Sequence, residues 1–321
     1  MVTCLVFENG GLHTEVPVDD LDGYVARPGC VLWVDLSEPE EDDFEMLQRE
    51  FGFHPLSLED AKKHVQRPKI EEYEGYFFLV TQALLFDAEN LEVRFSEVDF
   101  FVGRNFVVTV HDKPLTALRE SMLRCQRNPM ILSEGVGFVV YTIVDSIIDE
   151  YLPVLDTIDD RVDDLEEDIF HDFDETAVER IFTLKRSLLQ IRRNSGHMRD
   201  VFNVLMRRDQ PLFTPQTVIY FRDIYDHLFR ITDSVDIYRD ILTGALDAWL
   251  SLNANRLNTV MKTFAGLSIM LMTAALVAGI YGMNFVHIPE LQWLGGYPFA
   301  LGLMVVLVLA EYAIFRRKGW L

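Results

Sequence analysis

Tyr281-Gly282-Met283-Asn284 ends the first of two long apolar segments, and its residue types suggest chemistry. Asn284 carries a neutral carboxamide whose oxygen accepts hydrogen bonds. At the mouth of a water-filled path, such oxygens would hold the water shell of a cation and still release it, whereas a carboxylate would bind harder. Gly282 lets the backbone turn off a helix end. Met283 can fill space flexibly beneath that turn, and the last helical carbonyls add negative dipole character towards a cation. Farther along, Glu290 would draw cations by its field. His287 could touch a soft metal, although a lone exposed histidine lacks the partners a metal site needs. A second concentration of charge comprises Asp156, Asp159, Asp160, Asp163, Asp164, Glu166, Glu167, Asp168, Asp172, Asp174 and Glu175, with only Arg161 among them. It reads either as a solvated helix face or as an ion-collecting rim. Asp60 and Asp223, taken alone, read as surface acids.

The elements that must position these residues are legible from periodicity. No charged residue occurs between Lys262 and Glu290, and a second apolar run extends from Tyr297 to Phe315, uncharged until Glu311. Each is long enough to cross a bilayer core of about 30 Å. Arg256 and Lys262 precede the first span, Arg316-Arg317-Lys318 follow the second, and the loop between has neither Lys nor Arg. The positive-inside rule then puts both termini in the cytoplasm. Glu311, near the inner end of the second span, is expected to snorkel to the interface. Two helices cannot enclose a water-filled path, so a pore needs several chains around an axis. The first span suits its lining. Asn258, Met261, Phe264, Ser268, Met272, Ala275 and Gly279 fall on one stripe at spacings of three and four, which otherwise reads as a packing face.

Upstream, Thr214-Pro215 reads as an N-cap with proline at the first helical position. From Gln216 no proline interrupts the chain until Pro289. One helix of about 65–70 residues, roughly 100 Å at about 1.5 Å per residue, would run into the first span. Before it, Leu152, Leu155, Ile158, Val162, Leu165 and Ile169 mark one amphipathic helix, and Val178, Ile181, Leu184, Leu188 and Ile191 a second. These are expected to pair as an acidic and a basic arm of a hairpin. Pro153 kinks the first or sits near its start, and Asp209-Gln210-Pro211 breaks the pattern after the second. The first 130 residues mix strands with helices. Strands are expected at 2–7, 31–34 and 76–86, and a hairpin at 98–110 turns through Gly103-Arg104-Asn105. Ser37-Glu38-Pro39-Glu40 opens a helix that ends before Gly52, and 114–127 is a further helix. The stretches 54–60 and 66–69 are read as falling between elements.

Composition limits the function classes. The chain has 321 residues and a formal charge of -22, the wrong sign for a nucleic-acid partner. Its three cysteines, Cys4, Cys30 and Cys125, form no Cys-x-x-Cys pair, which suits a reducing cytosol. The N-terminus has no basic region followed by an apolar core, so no signal peptide is expected. No Gly-rich phosphate loop, Ser-His-Asp set, His-Glu-x-x-His or Walker motif is present, so no enzymatic activity is expected.

At the outer end of the penultimate apolar segment, Tyr281-Gly282-Met283-Asn284 resembles the signature of the CorA family of divalent-cation channels. Leu58-Glu59-Asp60 with His64 and Gln66-Arg67-Pro68-Lys69 resembles the same region of that family's cytoplasmic domains. Tyr220-Phe221-Arg222-Asp223-Ile224-Tyr225-Asp226-His227 resembles the family segment that supplies a regulatory acid, and Pro289-Glu290-Leu291 the loop of magnesium-type members. The resemblance is most specific over 214–321. It implies an α/β cytoplasmic domain (1–130), a helical hairpin (131–212), a stalk helix (213–262), a pore-lining first span (263–284), an external loop (285–296), a second span (297–315) and a basic tail (316–321). The assembly it implies is a pentameric ring of identical chains in the cell (inner) membrane. The function it implies is passive, potential-driven Mg2+ influx, with Co2+ and Ni2+ as candidate further cargo, and Gly282-Met283-Asn284 as selectivity filter. Mg2+ would also act from inside as a regulatory ligand between Asp60 of one subunit and Asp223 of the next, Glu59 being a weaker second. The implied constriction lies at Asn258, Met261, Phe264, Ser268 and Met272. Phe264 is bulkier than the aliphatic residue expected there, and Thr273 and Ala275 also depart from the pattern. Zinc transporters of the same architecture tend to lack the acid at the Glu290 position. A zinc transporter, or a membrane-anchored scaffold, remains the alternative reading.

Overall fold

The computed structural model describes residues 1–14, 16–171, 175–207, 213–284 and 288–320, without the side chains of 19, 168–171, 175 and 291. The expectations placed on Asp168, Asp172, Asp174, Glu175, on Asp209-Gln210-Pro211 and on His287 lie outside what is described. The chain divides into two compact units, Met1–Ala245 and Leu246–Leu321.

The first unit opens with strands β1 (Val2–Glu8) and β2 (Gly11–His13), helix α1 (Leu21–Val25) and β3 (Val31–Ser37). Helices α2 (Glu41–Phe51) and α3 (Pro55–Lys63) follow, then β4 (Lys69–Tyr73), β5 (Tyr76–Asp87), β6 (Glu92–Gly103) and β7 (Phe106–His111). Next come α4 (Thr116–Arg127), α5 (Met130–Ser133), α6 (Val136–Asp149), α7 (Tyr151–His171), α8 (Glu175–Leu205) and α9 (Pro215–Tyr281); α9 continues into the second unit, which ends in α10 (Gly296–Arg317). The seven strands lie in the order β2-β1-β3-β7-β6-β5-β4. All neighbours are antiparallel except β3 and β7, which run parallel with Val34 opposite Val108.

Helices cover both faces of this sheet, which is why β5 reads as one apolar run instead of alternating. On one face Cys4, Val6, Leu32, Val34, Phe78, Phe101 and Val108 pack with Phe44 and Leu47 of α2 and Leu58 of α3. On the other, Leu5, Trp33, Leu79, Phe100 and Val107 pack with Leu118 of α4, Ile143 of α6, Leu184 of α8 and Leu228 of α9. Each large side chain so buried contributes about 1.5–3 kcal/mol. The period of two along β6 sends Phe100 to one core and Phe101 to the other.

The local signals were mostly followed. Gly52 caps α2 in the left-handed conformation (φ 68°), and at the other end the Asp43 carboxylate accepts from the Glu40 backbone N–H at 2.9 Å. Thr214 caps α9, its Oγ1 accepting from the Thr217 N–H at 3.3 Å. Two expectations are corrected and one is extended. The stretch read as lying between elements is helix α3 for residues 55–63, with Lys69 already in β4. Its start carried a signal that was passed over: Pro55 is the first helical residue, and the His54 ring nitrogen accepts from the Leu56 N–H. Leu152 is 41% exposed, and Tyr151 is the buried residue at that end of α7, its hydroxyl donating to the Gln82 carbonyl oxygen at 2.8 Å. A buried strand carbonyl needs a donor, and leucine has none. Finally, the basic face of α8 also serves α9: Arg192 pairs with Asp236 at 2.6 Å, and Lys185 donates to Thr243 at 2.7 Å.

Candidate functional site

Among the described residues, two helices are long and apolar enough to cross a membrane, α9 and α10. In the second unit, Gly266, Met270 and Val277 of α9 are buried, on the face where the Thr273 hydroxyl donates to Glu311 of α10 at 2.7 Å. At about 100° per residue, these four positions share one face. Met261, Phe264, Ser268, Met272, Ala275 and Gly279 come out roughly opposite, and Asn258 about a quarter turn off that line. All seven are exposed in the single chain. Met261, Phe264 and Met272 are each more than two-thirds exposed (68%, 70% and 69%), so among the described residues nothing covers this face.

The helix stops at Tyr281, and the backbone turns at once. Gly282 N–H donates to the Ala278 carbonyl oxygen at 2.9 Å and Met283 N–H to that of Ile280 at 3.3 Å. Gly282 leaves room at this turn: a Cβ there would stand 3.2 Å from the Ala278 carbonyl oxygen, a tight contact. Asn284 follows the turn, exposed. Glu290 lies in a short turn of helix, Pro289–Gln292, half-buried, with its carbonyl oxygen accepting from the Trp293 N–H.

Glu311 does not snorkel. It reaches across to Thr273, and its second oxygen is buried without a partner. A carboxylate within an apolar segment turns towards a donor where one is in reach. Thr273→Val removes that donor. We expect a loss of about 0.6–2 kcal/mol of helix–helix stability, read as lower thermal stability of the detergent-solubilised protein. Unchanged stability would show the bond to be incidental.

The candidate regulatory acids occupy separate settings within one chain. Asp60, half-buried on α3, accepts from Lys69 Nζ at 2.5 Å and from Gln66 Nε2 at 3.2 Å. Burial works against the Lys69 ammonium, but its hydrogen bonds to Asp60 and Glu71 outweigh it and raise its pKa. Glu59 pairs with Lys63 at 2.5 Å. Asp223, half-exposed on α9, accepts from the Tyr141 hydroxyl at 3.3 Å and stands 3.7 Å from His227 Nε2. Among the described residues, no partner is common to Asp60 and Asp223.

The structure adds neighbours of Asp223 that sequence reading missed. Asp145 and Asp149 of α6 gather with His227 of α9, one ligand atom of each lying within 4.8 Å of the others. Burial, and then the charge of Asp149, push the Asp145 carboxyl above the usual range. The spacings were visible, since Asp145/Asp149 and Asp223/His227 are both i,i+4 pairs. What could not be seen was that α6 and α9 face each other here, through Tyr141 and Tyr220 with ring centroids 4.9 Å apart. On α7, by contrast, Asp156, Asp159, Asp160, Asp163, Asp164, Glu166 and Glu167 are exposed, and Arg161 pairs with Asp164 of its own helix.

Comparison with known proteins agrees with this layout. The family model described as "CorA-like Mg2+ transporter protein" matches residues 29–317. The chain is 39% identical over 288 residues to YfjQ, a candidate metal ion transporter of Bacillus subtilis, covering 90% of this chain and 89% of that one. It is 35% identical over 272 residues to the cobalt/magnesium transport protein CorA of Thermotoga maritima, covering 84% and 78%. The complete structure of the CorA magnesium transporter from Methanocaldococcus jannaschii superposes with a TM-score of 0.87 at 24% identity, covering 100% and 99% of the two chains, which shows the shared fold. With an α/β unit, a long helix entering the first of two apolar segments, and a match over nine-tenths of its length, the chain belongs to the CorA-like Mg2+ transporter family.

Proposed function

We propose that this protein is a homo-oligomeric channel for Mg2+, driven by the membrane potential, with both termini in the cytoplasm. The observation that carries the reading is the unpartnered stripe of α9 that ends, past the Gly282 turn, in the exposed Asn284. Repeated around an axis, five chains by family resemblance, that stripe lines a path and Asn284 rings its mouth. Mg2+ sheds water reluctantly, so the carboxamide oxygens accept hydrogen bonds from the hydrated ion and release it. Glu290 raises the local cation concentration by its field. Two charges crossing about 100 mV gain roughly 4.6 kcal/mol, enough for influx without a nucleotide.

Closure is by the product. Intracellular Mg2+ binds between Asp223 of one subunit and Asp60 of the next, holding the ring shut. Asp60 comes to that site partly neutralised by Lys69. Asp223, 3.7 Å from the His227 ring and within electrostatic reach of Asp145, has no lysine or arginine paired with it among the described residues.

The reading is tested by reconstituting the purified full chain into liposomes with a Mg2+ dye in a Mg2+-free lumen and an inside-negative potential. Uptake that stops when the potential is collapsed is expected. Silence at both polarities would refute the channel, and Zn2+ uptake in place of Mg2+ would reassign the cargo.

A further inference from the structure

A second set of ligating groups lies inside the α/β unit, on β6 and at the end of α3. Glu97 and Asp99 are two residues apart on β6, so both face the α2–α3 side of the sheet. Glu97 is 3% exposed and Asp99 fully buried. In the sheet, Asp99 stands between Val80 and Val110, both fully buried and offering no side-chain donor. His64 caps the C-terminus of α3 in a left-handed conformation (φ 46°, ψ 38°), and its Nδ1 lies 3.8 Å from Asp99 Oδ2. One ligand atom from each of the three residues lies within 4.8 Å of the other two.

What sets this cluster apart from surface acids is that four of its buried polar atoms receive no hydrogen from the rest of the fold. Among the described residues no N–H or hydroxyl reaches either oxygen of Asp99 or Oε1 of Glu97, the two carboxyls lie within hydrogen-bonding range of each other, and His64 Nδ1 is likewise buried and unbonded. Only the other Glu97 oxygen is satisfied, by the Gln66 N–H at 2.5 Å. Lys69 is the nearby cation, and its ammonium is taken up by Asp60 and Glu71. Leaving such a carboxylate unpaired in a low-dielectric interior is costly. Native interiors therefore give such groups a bound ion, a shared proton or ordered water.

We propose that His64, Glu97 and Asp99 form a binding site for a first-row divalent transition-metal ion of the Co2+, Ni2+ or Zn2+ class. The donor set decides the class. One imidazole nitrogen with two carboxylates suits these ions, whereas Mg2+ needs six oxygens in near-octahedral array and resists dehydration. Burial lowers the His64 pKa, leaving a neutral imidazole to ligate. Burial also raises both carboxyls, Asp99 further by the charge of Glu97, so the ion competes with a shared proton. The His64 side chain keeps 18% of its surface exposed and gives the ion its way in. Binding there ties the end of α3, the helix that carries Glu59 and Asp60, to β6. Occupancy is therefore felt beside the proposed Mg2+ sensor, although the site itself does not depend on the channel reading.

The test uses the metal-stripped full chain in detergent, with Co2+ as probe. His64→Asn removes the imidazole while keeping a residue that tolerates the left-handed backbone, and Asp99→Asn removes the charge with little change of shape. By equilibrium dialysis we expect the wild type to hold about one Co2+ more per chain than either variant, because each variant lacks an essential ligand. Imidazole scattering in the cobalt X-ray absorption spectrum should weaken in His64→Asn, and millimolar Mg2+ should leave the bound Co2+ in place. Equal Co2+ in the wild type and both variants would overturn the proposal in favour of a proton-sharing pair. So would complete displacement by Mg2+. Should Asp99→Asn fail to fold, the His64→Asn comparison decides alone.

Discussion

Asn284→Ala is expected to reduce potential-driven Mg2+ uptake by at least about a hundredfold, on the scale of about 1.4 kcal/mol per tenfold in rate. Each neutral hydrogen bond contributes about 1 kcal/mol, and in a ring one substitution removes the same acceptor from every subunit. The loss therefore sums over the chains even though each term is small. Asn284 follows the end of α9 and is exposed, so truncating it leaves the fold alone. The variant should elute as the wild type does on gel filtration and have the same thermal stability. Asn284→Asp separates charge from geometry. A carboxylate accepts more strongly, so that variant should bind the ion longer and pass it more slowly than the wild type. Wild-type flux in the alanine variant would remove Asn284 from the filter and leave the constriction that the family resemblance implies on α9, which includes Phe264 and Met272, as the proposed selecting element.

Asp223→Asn should raise the internal Mg2+ that halves uptake by about tenfold, equivalent to about 1.4 kcal/mol of lost binding. The expected size is moderate because the Asp223 side chain is 51% exposed and solvent screens its charge. Asp60→Asn should shift the same curve less, by about two- to threefold, since Lys69 already compensates that carboxylate and a compensated charge adds little further attraction. Measuring uptake against lumenal Mg2+ for the two variants orders them. Two curves superimposed on the wild type would dismiss both acids as sensors. A larger shift for Asp60 would mean that Lys69 swings away on assembly.

Much of this molecule was legible from residue order because its signals are local. An apolar run without charge, an N-cap followed by proline at Thr214-Pro215, and a glycine after the periodic stretch at Gly52 each act within a few residues. Their positions in the structure follow accordingly. Family membership was legible for the same reason, since Tyr281-Gly282-Met283-Asn284 is contiguous and sits at a defined place beside an apolar segment. Helix α3 shows where local reading weakens. Its nine residues give about two and a half turns, too few for a hydrophobic period to outweigh the surrounding charged residues.

Sequence by itself determined the order and type of the long elements, the two apolar helices, and the family, because backbone periodicity and turn chemistry are written between near neighbours. Tertiary structure alone decided which charges are spent and which are free. Lys69 meets Asp60 only because β4 begins beside the end of α3. Thr273 meets Glu311 only because two apolar helices pack side by side. Both Asp99 oxygens and one of Glu97 are left without a donor from the fold only because β6 lies between β5 and β7 with helices covering that face. These pairings join residues up to 38 positions apart. Their energies depend on burial and on distances of a few ångströms, which strand register and helix packing set and which no periodicity along the chain encodes.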